Sequence, residues 1–233
     1  MPGEPRGARV SVALDHLVVA AATLAQGVAW CEATLAVTPG PGGRHALMGT
    51  HNRLIKIATE DYPDAYLEII AIDPEASAPA RARWFALDDP AMQASLQAGP
   101  RLIHLVARSN MLDMHRWGLI ALGHQPGEPV AASRATPAGE LRWEMLLRAD
   151  GALNCGGALP TLIQWQGLHP AQAMPASGVT LRALTLRGVG ERARDVLRLR
   201  GVQVLATPGA ALTAMLDTPL GEVVLSSPTP ETP

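Results

Sequence analysis

The sequence predicts an α+β fold built from two βαβββ modules, and three observations carry that prediction. The segment LDHLVVA at residues 14–20 returns as LIHLVAR at 102–108, with Leu, His, Leu and Val in matching places. That is an internal repeat of roughly ninety residues. After each copy, an apolar strand is followed by a helix-like stretch and then by three strand-like runs divided by turn signals. The 233 residues, 48% hydrophobic and 17% charged, can bury a substantial core in one or two domains, filled by Leu, Val, Ile and Ala because aromatics are only 3%.

In the first module, residues 10–100 with the loop that follows it, the helix is TLAQGVAWCEATLAV, opened by Thr23 as N-cap. Its later strands fall at about 43–48, 52–58 and 65–72. Gly49 and Asn52 tolerate the positive φ of a tight turn, which places Met48 to Asn52 as the connection between the second and third strands. The second module, residues 101–176, has the helix NMLDMHRWGLIALG, opened by Asn110 and closed by Gly123, and strands at about 129–135, 140–148 and 160–166. Residues 73–88, rich in Ala and Pro, form the long connection; its adjacent Trp84 and Phe85 either cap a binding site or anchor the linker to the core. A third start, VTLRALTLRG at 179–188, has Ala183 where the repeats carry histidine, so residues 177–227 read as a strand-helix-strand extension without chemistry. Residues 1–9 and 228–233 read as flexible tails.

Charge and cysteine content exclude several classes. A net charge of −2, with Lys56 the only lysine, gives no basic surface for nucleic acid. No apolar run reaches the length of about 18 residues needed to cross a bilayer, and the N-terminus lacks a signal-peptide core, so a cytoplasmic protein is expected. Cys31 and Cys155 have no paired spacing, which suggests neither a disulfide scaffold nor a zinc knuckle. P-loop, dinucleotide and nucleophile-elbow motifs are absent.

The candidate chemistry lies on apolar strands. Strand alternation puts Leu14, His16 and Val18 on one face, and Leu102, His104 and Val106 on another. A single histidine in such company is more often a hydrogen-bonded core residue than a ligand, but repetition at equivalent positions favours a site. Glu68 in AYLEIIAID is costly to bury unless an arginine or a metal faces it. In ELRWEMLLR, Arg142, Glu144 and Arg148 form a polar stripe opposite Leu141, Trp143, Met145 and Leu147, which either is solvated or lines the site. Turn geometry does not explain His51 and Arg53, which read as rim contacts for an oxygen-rich ligand or as loop bonds, and His169-Pro170 stands near an opening.

The paired histidines, the run GRHALMGTHNRL and the run YLEIIAIDPEA together resemble the glyoxalase-like branch of the vicinal oxygen chelate superfamily, which also holds bleomycin-resistance proteins and extradiol dioxygenases. The resemblance covers roughly residues 12–170, and LPTLIQWQGLHPA and TPLGEVVL extend it. It implies that the modules close a cup-shaped open barrel around a divalent metal, zinc, iron, manganese or nickel, held by His16, Glu68, His104 and Gln164. It also implies a small-molecule substrate with adjacent oxygens; from the residues themselves, His51, Asn52, Arg53 and Arg142 are the candidate contacts to it, and Glu144 is the candidate catalytic base because Gln164, at or near the fourth ligand position, is a poor one. Isomerase, lyase and dioxygenase chemistry are all open under this reading. The alternative is metal-free sequestration of a small molecule, in which His16, Glu68 and His104 form a hydrogen-bonded core. No nucleic acid or membrane partner is expected, and a homodimer is the commonest assembly.

Overall fold

A computed structural model describes residues 12–136 and 139–228. The first module runs β1 (Ala13–Ala20), α1 (Leu24–Leu35), β2 (Arg44–His45), β3 (Thr50–Lys56) and β4 (Tyr66–Ile72). A 3-10 turn at Trp84–Ala86 and helix α2 (Pro90–Gln97) lead to the second module: β5 (Arg101–Arg108), α3 (Leu112–Ala121), β6 (Glu128–Thr136), β7 (Gly139–Leu147) and β8 (Thr161–Gln166). The two βαβββ modules expected from the repeat are therefore present. They share one eight-stranded sheet in the order β2-β3-β4-β1-β5-β8-β7-β6, joined where β1 and β5 pair antiparallel. The sheet curls into a nearly closed barrel, and the Arg134 guanidinium on edge strand β6 reaches Asn52 on β3, with Nη1 3.5 Å from Asn52 Oδ1.

Local chemistry sets the element ends. Thr23 caps α1, its hydroxyl accepting from Gln26 N–H at 3.1 Å. Asn110 does not cap α3: the cap position is Met111, whose N–H is taken by the Ser109 hydroxyl at 2.9 Å, two residues earlier in the chain. Helix α2 was not anticipated in an Ala/Pro-rich stretch, yet Asp89 accepts from Ala91 N–H at 2.7 Å and Pro90 supplies a preset φ at the first helical position. Gly49 has φ +56°, as the turn requires, but Asn52 lies within β3 and not in the turn.

The two faces of the sheet bury different residues. Leu14, Leu17, Val19, Leu67, Leu105 and Leu162 pack outward against α1 and the C-terminal part of the chain, each removing a side chain worth about 1.5–3 kcal/mol from water. Val18, Ile70, Trp84, Phe85, Val106, Trp143, Met145 and Ile163 pack inward. Leu14 therefore does not share a face with His16 and Val18, and Leu102 does not share one with Val106. The β1–β5 ladder slips one residue at Asp15, immediately before His16, and again at Ile103, immediately before His104. Each slip is a bulge that re-aims the histidine.

The C-terminal segment is β9 (Thr180–Arg187), α4 (Glu191–Leu197), β10 (Val202–Leu205), β11 (Leu212–Thr218) and β12 (Gly221–Ser226). It is more than a strand-helix-strand unit, since a hairpin completes a separate four-stranded sheet in the order β10-β9-β11-β12. Leu184, Leu186, Leu212 and Leu216 join the outward core, and Leu181 N–H donates to the Ile57 carbonyl at 2.9 Å. Of the expected tails, only Pro228 falls within the described residues. Among the described residues no helix is long and apolar enough to cross a membrane.

Candidate active site

The inner face of the barrel lines a small, partly open cup. Apolar walls come from Leu54, Trp84, Phe85, Leu141, Trp143, Met145, Ile163 and Trp165, and polar groups from His16, His45, Asn52, Tyr66, Glu68 and Arg134. This is the usual composition of a small-molecule site: mostly apolar, with a few fixed polar groups.

The bulge at Asp15 turns a carboxylate into the protein interior beside His16. Asp15 is fully buried and accepts three N–H groups, from His16 Nδ1 at 2.7 Å, Trp165 Nε1 at 2.8 Å and His169 Nε2 at 2.9 Å. Burial alone raises its pKa, but the hydrogen bonds and charges of His16 and His169 outweigh burial and hold the carboxyl below the usual range. His169 Nδ1 in turn accepts from Ala171 N–H at 3.2 Å, which fixes that ring as the Nε2–H tautomer. With Nδ1 given to Asp15, His16 presents Nε2 to the cup, 3.6 Å from Glu68 Oε2. The His16 ring also stacks on Tyr66, centroid to centroid 4.6 Å.

Glu68 is buried, and its Oε1 accepts from Asn52 Nδ2 at 2.6 Å. Asn52 Oδ1 accepts from Gly43 N–H at 2.8 Å. His45 holds Thr50 Oγ1 at 3.0 Å, and burial, reinforced by the Arg134 charge, lowers its pKa to about 3, so it is neutral. A continuous polar chain thus crosses the cup from Asp15 through His16, Glu68 and Asn52 to Arg134.

Three of the residues expected from sequence, His16, Glu68 and Asn52, come together here. The others lie elsewhere. His104 is buried with both ring nitrogens engaged: Nδ1 donates to the Gly157 carbonyl at 2.8 Å, and Nε2 accepts from the Thr161 hydroxyl at 2.9 Å and from Thr161 N–H at 3.2 Å. Burial lowers its pKa to about 4, which keeps it neutral. Gln164 lies on the outer face, where its Oε1 accepts from Leu112 N–H at 3.4 Å. The register explains the difference: Glu68 pairs with Val18 in module one, and Thr161 pairs with Val106 in module two, so Thr161 is the counterpart of Glu68. Arg142 is exposed and bonds Glu140 at 2.7 Å, and Glu144 shares its face, away from Trp143 and Met145. His51 and Arg53 alternate with Asn52 and face out of the cup, His51 Nδ1 lying 3.9 Å from Asp73.

The metal implied by the resemblance does not fit this donor set. Among the described residues no three His, Cys, Asp or Glu side chains come together as ligands, the His104 lone pair is committed to Thr161, and Gln164 points outward. What the arrangement can do is hold and move a proton: an imidazole braced by a buried carboxylate faces the cup, with a second carboxylate 3.6 Å from its other nitrogen. Sequence reasoning missed Asp15, Tyr66, Trp165 and Arg134. One signal was present, because the repeat reads Asp-His in its first copy and Ile-His in its second.

A family described as a glyoxalase-like domain matches residues 14–198 of the chain. A comparison with curated proteins returned no match. Among solved structures, a hypothetical protein from Staphylococcus aureus overlaps 93% of this chain and 88% of its own, at 13% identity and a TM-score of 0.57, a likeness of fold. Methylmalonyl-CoA epimerase from Mycobacterium tuberculosis covers 72% of this chain and 96% of its own at 19% identity and a TM-score of 0.38. A Streptomyces coelicolor methylmalonyl-CoA epimerase variant, in complex with 2-nitronate-propionyl-CoA, covers 67% and 96% at 18% identity and a TM-score of 0.38.

Proposed function

Since the chain belongs to the glyoxalase-like family, we propose that its cup binds a small molecule with adjacent oxygens and moves a proton on one of the two carbons that carry them, without a resident metal. The observation that supports this reading is the Asp15–His16–Glu68 chain. Asp15 fixes the His16 tautomer, so Nε2 is the basic nitrogen on the cup side. His16 Nε2 takes a proton from the carbon next to a carbonyl, and Asp15 stabilises the imidazolium that results. Asn52, donating to Glu68, holds the second carboxyl in place to exchange a proton with the opposite oxygen. Return of the proton to either carbon completes an isomerisation, and no atom leaves or enters the substrate. The same reading keeps the protein cytoplasmic, with a small molecule and a second copy of itself as partners.

One observation favours a second reading, binding without turnover. The Glu68 carboxylate is only 5% exposed and already hydrogen-bonded to Asn52, as in a cup that only sequesters its ligand. Proton exchange separates the two readings. Chelator-treated protein is incubated in D2O with small 2-hydroxy ketones and 2-hydroxy aldehydes, and loss of the α-proton signal is followed by NMR. Isomerisation chemistry gives exchange that His16→Ala and Glu68→Gln each abolish. Exchange absent from every compound that stabilises the protein thermally would leave sequestration as the function. Exchange that needs an added metal would overturn the metal-free assignment.

A further inference from the structure

A guanidinium at the seam of the barrel has no carboxylate partner among the described residues. Arg134 sits on edge strand β6 and lines the cup. Its contact at 3.5 Å to Asn52 Oδ1 is long, its Nε is buried without a hydrogen-bond partner, and among the described residues no carboxylate lies within 4 Å of it. Arg44, Arg83, Arg108, Arg116, Arg142, Arg148, Arg182 and Arg194 all have acidic partners, and of the described arginines without one, Arg134 is the one that lines the cup. A partly buried arginine without one is costly unless a ligand supplies the charge.

The chain is shaped around this residue. A Cβ on Gly43 would fall 2.3 Å from Arg134 Nη1, and a Cβ on Gly42 would fall 2.1 Å from the Asn52 backbone carbonyl oxygen and 2.3 Å from Asn52 Oδ1. Gly43 therefore leaves room for the guanidinium, while Gly42 lets the backbone of the neighbouring strand, and the Asn52 amide with it, come close. Turn geometry does not account for the pair, since neither glycine has positive φ. The Asn52 side chain alone separates Arg134 from the Glu68 carboxylate.

We propose that Arg134 binds the carboxylate of the ligand, and that the ligand is a monoanionic 2-hydroxy or 2-oxo acid with an aromatic or branched apolar substituent. This deepens, and rests on, the reading of the cup as a site for adjacent oxygens; it concerns binding alone, since an aryl 2-oxo acid carries no α-hydrogen for His16 to take. The guanidinium fork takes the carboxylate, the neighbouring oxygen then lies one bond further along the chain towards Glu68 and His16, and the substituent fills the wall of Trp143, Trp165, Met145 and Ile163. A single charge is favoured over a phosphate dianion because Glu68 already places one negative charge beside Asn52.

The test measures quenching of tryptophan fluorescence at pH 7 by mandelate, phenylglyoxylate, the neutral amide of mandelate, and phenyl phosphate. The acids bind more tightly than the amide by about tenfold or more, the scale of one charge-assisted hydrogen bond. Arg134→Gln removes that advantage and leaves amide binding unchanged, and Gly43→Ala, which displaces the guanidinium without removing it, weakens the acids in the same direction. Equal binding of acids and amide, with binding lost in Glu68→Gln, would overturn the carboxylate assignment and leave the cup intact as a site for adjacent oxygens. Tighter binding of phenyl phosphate than of mandelate would overturn the monoanion. Binding of none of the four would overturn both this inference and the reading beneath it.

Discussion

Replacing Asp15 by asparagine tests the network at its root. The carboxylate is fully buried and takes three N–H groups at 2.7–2.9 Å. Asparagine keeps the shape but turns one acceptor into a donor, which must then face either His16 Nδ1–H or the pair from Trp165 and His169. Hydrogen bonds to a charged group contribute about 1.5–3 kcal/mol each and do not add, whereas removing one partner of a buried ionic cluster costs about 3–5 kcal/mol. We expect a loss of about 3–5 kcal/mol, roughly 6–20 °C in Tm for a chain of this size. The assay is urea unfolding followed by tryptophan fluorescence at pH 7, with a parallel thermal scan. The sign of the pH dependence provides a second readout. Because the folded Asp15 pKa is depressed, its contribution is fully present above the ordinary carboxylate range and is lost as pH falls through the folded value. The wild type therefore loses stability faster than Asp15→Asn below about pH 4. A variant within about 1 kcal/mol of wild type at pH 7 would show that Asp15 is not an ionised acceptor, and the bracing of His16 would fall with it.

Other expectations follow from the same geometry. His45 and His104 are buried neutral, with pKa values lowered to about 3 and about 4, so the unfolded chain takes up protons first as pH drops. Stability should then fall by about 2–3 kcal/mol per unit between about pH 6 and pH 4, and a flat urea-midpoint profile there would contradict it. Gly27→Ala places a Cβ 2.4 Å from Ile69 Cγ2 where α1 packs on β4; overpacking outweighs the gain in helix propensity, for a net loss of about 1–2 kcal/mol by denaturant titration. Glu144→Gln and Gln164→Ala, on the outer face, leave ligand binding in the cup within about twofold of wild type by fluorescence titration, while Glu68→Gln weakens it by about tenfold or more.

The repeat made the fold legible, since matched strands and a helix in register leave few ways to build two modules. It also marked His16 and Glu68, because a polar residue among Leu, Val and Ile needs a reason to be there. Facing was harder to read. Both sides of β1, β4 and β5 are buried, so alternation of polar and apolar residues carries no signal there, and the bulges at Asp15 and Ile103 shift the faces by one residue. The fourth ligand was expected at or near Gln164, which faces outward, because the strand register that makes Thr161 the counterpart of Glu68 is not written in the sequence, where Thr161 is an ordinary strand residue. Arg134 was invisible because its partner Asn52 lies 82 residues away and meets it only when the barrel curls. Asn52, expected in a turn, lies within β3, and its side chain lines the cup.

The most direct test of the account is the protonation of His16, read by nitrogen NMR of histidine-labelled protein at neutral pH. The account predicts a proton on Nδ1, lost as a distinct hydrogen-bonded signal in Asp15→Asn, and an Nε2 resonance that moves when phenylglyoxylate fills the cup. A proton on Nε2 alone, or an Nε2 resonance indifferent to every ligand that quenches the cup tryptophans, would contradict it.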